Sequence, residues 1–130
     1  MNNDLKNYTI LYIEDEKQTR DSYVRLFERL FKEVYSASNG EVGLNLFKKK
    51  SPDIILTDSK MPIMGGFEMS EKIRKIDKNI PIIFVSAQNE NHFVEKLKSI
   101  NINSCLLKPV SRDDLKTGIA DAIKKSQNIV

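Results

Sequence analysis

Short apolar runs alternate with longer amphipathic segments along the whole chain, and this alternation constrains the fold more than any other feature. The first run is Thr9-Ile10-Leu11-Tyr12-Ile13. Val34-Tyr35-Ser36-Ala37, Ile54-Ile55-Leu56-Thr57, Ile82-Ile83-Phe84-Val85 and Ser104-Cys105-Leu106-Leu107 follow. They are rich in β-branched and aromatic residues, and several show no polar alternation. That is how parallel strands buried on both faces read. Helical periods lie between them. Tyr23, Leu26, Phe27 and Leu30 recur at i, i+3, i+4 and i+7, and Leu115, Ile119, Ala122 and Ile123 at i, i+4, i+7 and i+8. Asn39 reads as the N-cap of a helix through Leu44 and Phe47, which Ser51-Pro52 ends. Further helices are expected from Gly66 to Ile76 and from Asn89 to Ile100. Ser111 caps the last, with Asp113 and Asp114 favourable in its first turn. Five strands and five helices in alternation predict an α/β fold: a parallel sheet covered by helices on both faces, with right-handed crossovers.

Composition narrows the class. A chain of 130 residues suggests one domain. The net charge of +3 is mild, and no basic stripe points to nucleic acid. The single Cys105 excludes an internal disulfide and a Cys-based zinc site, and fits a reducing, cytoplasmic setting. The apolar runs are too short to span a membrane. The expected core covers about residues 8–125, with 126–130 a tail or the start of a linker.

The chemistry collects at the strand ends. Glu14 and Asp15 follow the first run, Asp58 the third, Ser86 the fourth and Lys108 the fifth. In open α/β sheets, ligands bind beyond the carboxyl ends of the strands. One polar residue after a strand is ordinary, but four separated segments here deliver three carboxylates, a hydroxyl and an ammonium to one edge. Glu14, Asp15 and Asp58 resist being ionised together. A hard cation removes that difficulty, and oxygen-only ligands favour Mg²⁺. A carboxylate beside Mg²⁺ can attack a phosphoryl group to give an aspartyl phosphate. Lys108 supplies a compact counter-charge, and Ser86 a hydroxyl donor. Asp58-Ser-Lys-Met-Pro-Ile-Met-Gly-Gly reads as a turn that wraps the site before the next helix. Lys108-Pro109 is a second backbone signal, since a cis X-Pro bond would aim the lysine inward.

This ordered set resembles the receiver domain of two-component response regulators. The resemblance covers about residues 8–125. It rests on the acidic pair Glu14-Asp15, on Asp58-x-x-Met61-Pro62-x-Met64-x-Gly66, on Ser86-Ala87 and on Lys108-Pro109, with Asn39-Gly40-Glu41 and Pro52-Asp53 in support. It implies a flavodoxin-like, doubly wound sheet in the order 2-1-3-4-5. It implies that Asp58 accepts a phosphoryl group from a sensor histidine kinase or a histidine phosphotransfer protein. Mg²⁺ would be held by Asp15, Asp58 and the Lys60 backbone carbonyl, with Glu14 acting through water. Ser86 would move toward the phosphate, Lys108 would pair with it, and the surface around the fourth helix, fifth strand and fifth helix would repack. Such a bacterial signalling module is not a turnover enzyme, although slow self-dephosphorylation is expected. Its output would pass through a protein target or an effector domain absent from these 130 residues.

The chain departs from the family pattern at three places. An aromatic switch residue is usual three positions before the lysine, where this chain has Cys105, read as a small buried filler. Gly65 replaces the usual acidic residue before Gly66, and Ile102-Asn103 replaces the common Gly-Ala. Lys60 and Gln88, each two residues beyond a site residue, are expected to tune hydrolysis. Val24 and Arg25 on the first helix would form part of a kinase-docking face, and His92 reads as an exposed helical residue. Three other readings remain. An aspartyl-phosphate phosphatase would want a second aspartate where Lys60 stands. A flavodoxin would want a hydroxyl-rich phosphate loop where Glu14-Asp15-Glu16 stands. A pseudo-receiver would bind a partner without phosphorylation.

Overall fold

The computed structural model describes residues 5–87, 91–102 and 104–127, the side chains at 91, 92 and 127 excepted. Gln88 and the expected start of the fourth helix at Asn89 lie outside these residues, as does the His92 side chain. A 3-10 turn, Leu5–Asn7, leads into five strands and five helices among the described residues. They are β1 (Thr9–Ile13), α1 (Lys17–Leu30), β2 (Glu33–Ala37), α2 (Gly40–Lys50), β3 (Ile54–Asp58), α3 (Gly66–Arg74), β4 (Ile82–Ser86), α4 (Asn91–Lys98), β5 (Ser104–Leu107) and α5 (Arg112–Gln127).

All strand pairs are parallel, and the sheet order is β2-β1-β3-β4-β5, as the resemblance implied. Every crossover contains a helix, which divides the core between the two faces of the sheet. One core combines Leu11, Ile13, Ile55 and Phe84 with Leu44 and Phe47 of α2, Met69 and Ile73 of α3, and Leu97 of α4. The other combines Ile10, Tyr12, Leu56 and Ile83 with Phe27 of α1, Phe31 just beyond it, and Leu115, Ile119 and Ile123 of α5. Burial on both faces holds for the central strands β1, β3 and β4. It fails at the edges, because only one neighbour covers β2 and β5. Cys105 is half-buried rather than fully buried, and Leu107 is 48% exposed.

Several boundaries follow from local hydrogen bonding. Asn39 caps α2 as expected, its Oδ1 accepting from Val42 N at 3.0 Å. Ser51, at φ 47°, ends that helix with a left-handed turn before Pro52. Ser111 Oγ accepts from Asp114 N at 3.0 Å and so caps α5. The third helix stops at Arg74 instead of Ile76. There Ile76 N and Asp77 N both turn back onto Ile73 O, and Asp77 Oδ1 takes the next amides, Asn79 N and Ile80 N. The fourth stops at Lys98 instead of Ile100. Asn101 adopts φ 61°, Asn101 N bonds Lys98 O and Ile102 N bonds Leu97 O, which is the Schellman pattern of helix closure.

Candidate functional site

Strand register decides which side chains meet. Ile13 pairs with Thr57, so Glu14 and Asp58 stand level on neighbouring strands. Asp58 pairs with Val85, Val85 with Leu106 and Ser86 with Leu107, which sets Ser86 one step and Lys108 two steps further along. Asp58 and Ser86 are the last residues of their strands, not the first residues beyond them. They therefore have less freedom than loop residues.

Glu14, Asp15 and Asp58 each offer a carboxylate oxygen, and these atoms lie within 4.8 Å of one another. Glu14 is buried, Asp58 half-buried and Asp15 exposed. Such a cluster is poorly stable as three anions, and its oxygen-only donor set fits a hard divalent cation. Lys108 reaches in from the far side of Asp58. Its Nζ is 3.0 Å from Asp58 Oδ2 and 3.9 Å from Glu14 Oε1. The Lys108–Pro109 peptide bond is cis. Burial works against the Lys108 charge, but the hydrogen bond to Asp58 and the charges of Asp58, Glu14 and Asp15 outweigh it and raise its pKa. Burial, reinforced by the charges of Asp58 and Asp15, pushes the Glu14 carboxyl up; the Glu16 amide and Lys108 offset this in part.

Main-chain contacts hold the Asp58 loop. Ser59 N donates to Asp58 Oδ1 at 2.7 Å, and Gly66 N donates to Ser59 O at 3.1 Å. Thr57 Oγ1 donates to Asp58 O at 2.8 Å. Gly40 N donates to Met64 O at 2.8 Å, clasping the loop to the start of α2. Gly66 is required by proximity: a Cβ there would lie 2.3 Å from Asp58 O. Thus the Met-Pro-Ile-Met-Gly-Gly turn closes between Ser59, which follows the acceptor-strand carboxylate, and the start of α2.

Two participants were not picked out by sequence reasoning. Arg20, on α1, donates through Nη1 to Glu14 O at 2.9 Å and to Asp15 O at 3.4 Å, fixing the acidic turn. Nothing in its spacing singles it out among the charged residues of that helix. Ser59 Oγ lies 2.9 Å from Ser86 Oγ. That contact was open to inference, because the pairing of Asp58 with Val85 sets Ser59 level with Ser86. Lys60 is exposed beyond Ser59. Beside the cluster, a cavity of about 260 Å³ opens between α1 and the turn into α5, with Tyr12, Tyr23, Val110 and Leu115 among its walls.

The profile of the response regulator receiver domain matches residues 10–120. The chain belongs to that family. It is 29% identical over 121 residues to sporulation initiation phosphotransferase F of Bacillus subtilis, covering 93% of this chain and 94% of the relative. It is 32% identical over 112 residues to the sensor protein EvgS of Escherichia coli, covering 86% of this chain but 9% of that much longer protein. A receiver domain protein from Clostridium thermocellum superposes with a TM-score of 0.84 at 28% identity, over 93% of this chain and 98% of that one. The receiver chain is therefore a signalling module of two-component systems. Among the described residues, no helix is long and apolar enough to cross a membrane.

Proposed function

We propose that Asp58 is the phosphoacceptor of this receiver and that Mg²⁺ is its metal. One observation carries the reading: Lys108 and the Glu14-Asp15-Asp58 cluster converge on a single carboxylate, with the ammonium 3.0 Å from Asp58 Oδ2. A carboxylate so placed has one oxygen committed to a cation while the cluster still needs a second positive charge. Bound Mg²⁺ would supply that charge and neutralise phosphoryl oxygens. Asp15, Asp58 and the Lys60 carbonyl would hold it, with Glu14 acting through water.

The step is a phosphoryl transfer. An Asp58 oxygen forms the new P–O bond as the P–N bond of a phosphohistidine breaks and the imidazole leaves with that electron pair. Lys108 stays with the transferred group as a point charge. Ser86 turns its hydroxyl toward a phosphoryl oxygen, and this biases the surface of α4, β5 and α5 between two states. Lys60 and Gln88 would tune the return hydrolysis by water.

The donor would be a histidine kinase or a histidine phosphotransfer protein in a reducing, cytoplasmic compartment. The exposed face of α1 and the cavity beside it would receive that donor, and residues 8–125 would act as one receiver unit. Its output would go to a protein target or an attached effector.

The test is incubation with Mg²⁺ and acetyl phosphate or beryllofluoride. Wild type should gain one phosphoryl group or show chemical-shift changes around Asp58, and Asp58→Asn should not. Failure of the wild type, under conditions that modify a control receiver, would make the chain a binding module that works without phosphorylation.

A further inference from the structure

We propose that the cavity between α1 and the turn into α5 is a binding site for a small neutral ring compound whose oxygen accepts a hydrogen bond from the Tyr12 phenol. The site involves no phosphoryl chemistry. Tyr12 is 4% exposed, and its hydroxyl makes no hydrogen bond among the described residues. The ring is fixed all the same. It stands edge-on to Tyr23 at 5.9 Å between centroids and to Phe27 at 5.4 Å. A buried hydroxyl without a partner is costly. Tyr12 lines a cavity of about 260 Å³, so an occupant that accepts from the phenol removes that cost.

The polar groups nearer the acidic cluster are committed. Thr19 Oγ1 donates to Glu16 Oε1. Glu14 Oε2 accepts from Glu16 N at 3.1 Å, and Glu14 Oε1 faces Lys108 Nζ at 3.9 Å. Lys108 Nζ donates to Asp58 Oδ2 at 3.0 Å. The half-buried Tyr23 adds a second uncommitted phenol. Other walls, such as Leu56, Val85, Val110 and Leu115, are apolar. An ordered water wants roughly two to four polar partners, which two phenols supply poorly. A charged ligand would lose its hydration with no free counter-charge to meet it. A neutral ligand with one oxygen fits both the phenol and the apolar walls. A cavity of about 150 Å³ takes benzene, so this larger one takes a ring with a short substituent. A phosphodonor docking on this face would compete for the same space.

The probes are acetophenone, a ring bearing a carbonyl, and isopropylbenzene, of similar shape without the oxygen. Each is titrated into the full chain and followed by amide chemical shifts, for wild type, Tyr12→Phe and Val110→Trp. Wild type should bind acetophenone with shifts centred on Tyr23, Val110 and Leu115. Tyr12→Phe should weaken acetophenone by about two- to tenfold, the equilibrium factor of one neutral hydrogen bond, and leave isopropylbenzene unchanged. Val110→Trp fills the space and should abolish both. Tyr12→Phe should also keep or raise the urea midpoint, because the hydroxyl it removes has no partner. The site is overturned by absent binding in wild type, by shifts centred elsewhere, or by undiminished acetophenone affinity in either variant. A Tyr12→Phe variant that loses stability or fails to fold would show the hydroxyl already satisfied, by water or by protein, and overturns it too. If Val110→Trp does not fold, the Tyr12→Phe comparison decides.

Discussion

Lys108 Nζ lies 3.0 Å from Asp58 Oδ2, a contact that joins the end of β5 to the end of β3 across the intervening β4. The lysine side chain is 38% exposed, so in the resting protein this pair is screened and contributes at most about 1 kcal/mol. Its importance increases when an anion occupies Asp58. A hydrogen bond to a charged group contributes about 1.5–3 kcal/mol. Lys108→Met should therefore shift the urea midpoint little, yet weaken beryllofluoride binding by about tenfold or more. Parallel losses in both would show that the lysine acts through folding.

The raised carboxyl of Glu14 predicts an unusual pH dependence in chelator. The folded state holds the Glu14 proton more tightly than the unfolded chain, whose ordinary value is 4.5. Between 4.5 and the raised value the folded state binds more protons, so metal-free stability falls as pH rises. Lys108 has the opposite chemical origin. Its stabilising contribution is complete below 10.5 and is lost as pH climbs through its raised value. Urea midpoints measured against pH should show the acidic slope in wild type and not in Glu14→Gln. The alkaline loss should be smaller in Lys108→Met but not absent, because burial also raises the Tyr12 phenol and adds its own loss above 10.0. Coincident curves for wild type and Glu14→Gln would remove Glu14 as the source.

The sheet was legible because each central strand is apolar on both faces, and the strand ends then fixed where Glu14, Asp58, Ser86 and Lys108 must sit. The cap residues Asn39 and Ser111 were legible because their chemistry is local. What was not legible depends on tertiary contact. Helix α4 ends early through the Asn101 and Ile102 amides, a pattern visible only once the chain has turned. Arg20 reaches back to Glu14 O and Asp15 O, main-chain atoms that carry no sequence signal. Cys105 read as buried because the run around it is apolar, but its strand lies at the sheet edge.

That edge position makes Cys105 a reporter. The thiol is half-buried, and burial raises its pKa, so little thiolate is present near neutral pH. An aromatic disulfide reagent at pH 8 should label the folded chain severalfold more slowly than the chain in urea. Beryllofluoride should change that rate if β5 takes part in the switch. Labelling at the unfolded rate would mean that the edge of the sheet opens freely.

Gly66 links the fold to the site more tightly than any carboxylate does. It starts α3 directly under the acceptor strand, where a Cβ would lie 2.3 Å from Asp58 O and 3.0 Å from Phe84 Cε2. Neither neighbour can readily yield: one is backbone at the end of the central strand, and the other is a ring with no exposed surface. Overpacking of this kind costs about 1–3 kcal/mol. Gly66→Ala should lower the urea midpoint accordingly. It should also displace the Ser59 carbonyl that Gly66 N holds at 3.1 Å, and with it the amide on Asp58 Oδ1. Magnesium binding should then weaken even at temperatures where the variant is fully folded, as followed by amide chemical shifts of the Asp58–Gly66 turn. By contrast, Gly65→Ala meets only Ser59 O at 3.2 Å and should be tolerated with a small loss. Equal effects of the two substitutions would show that the close approach at Gly66 is not what holds the acceptor in place.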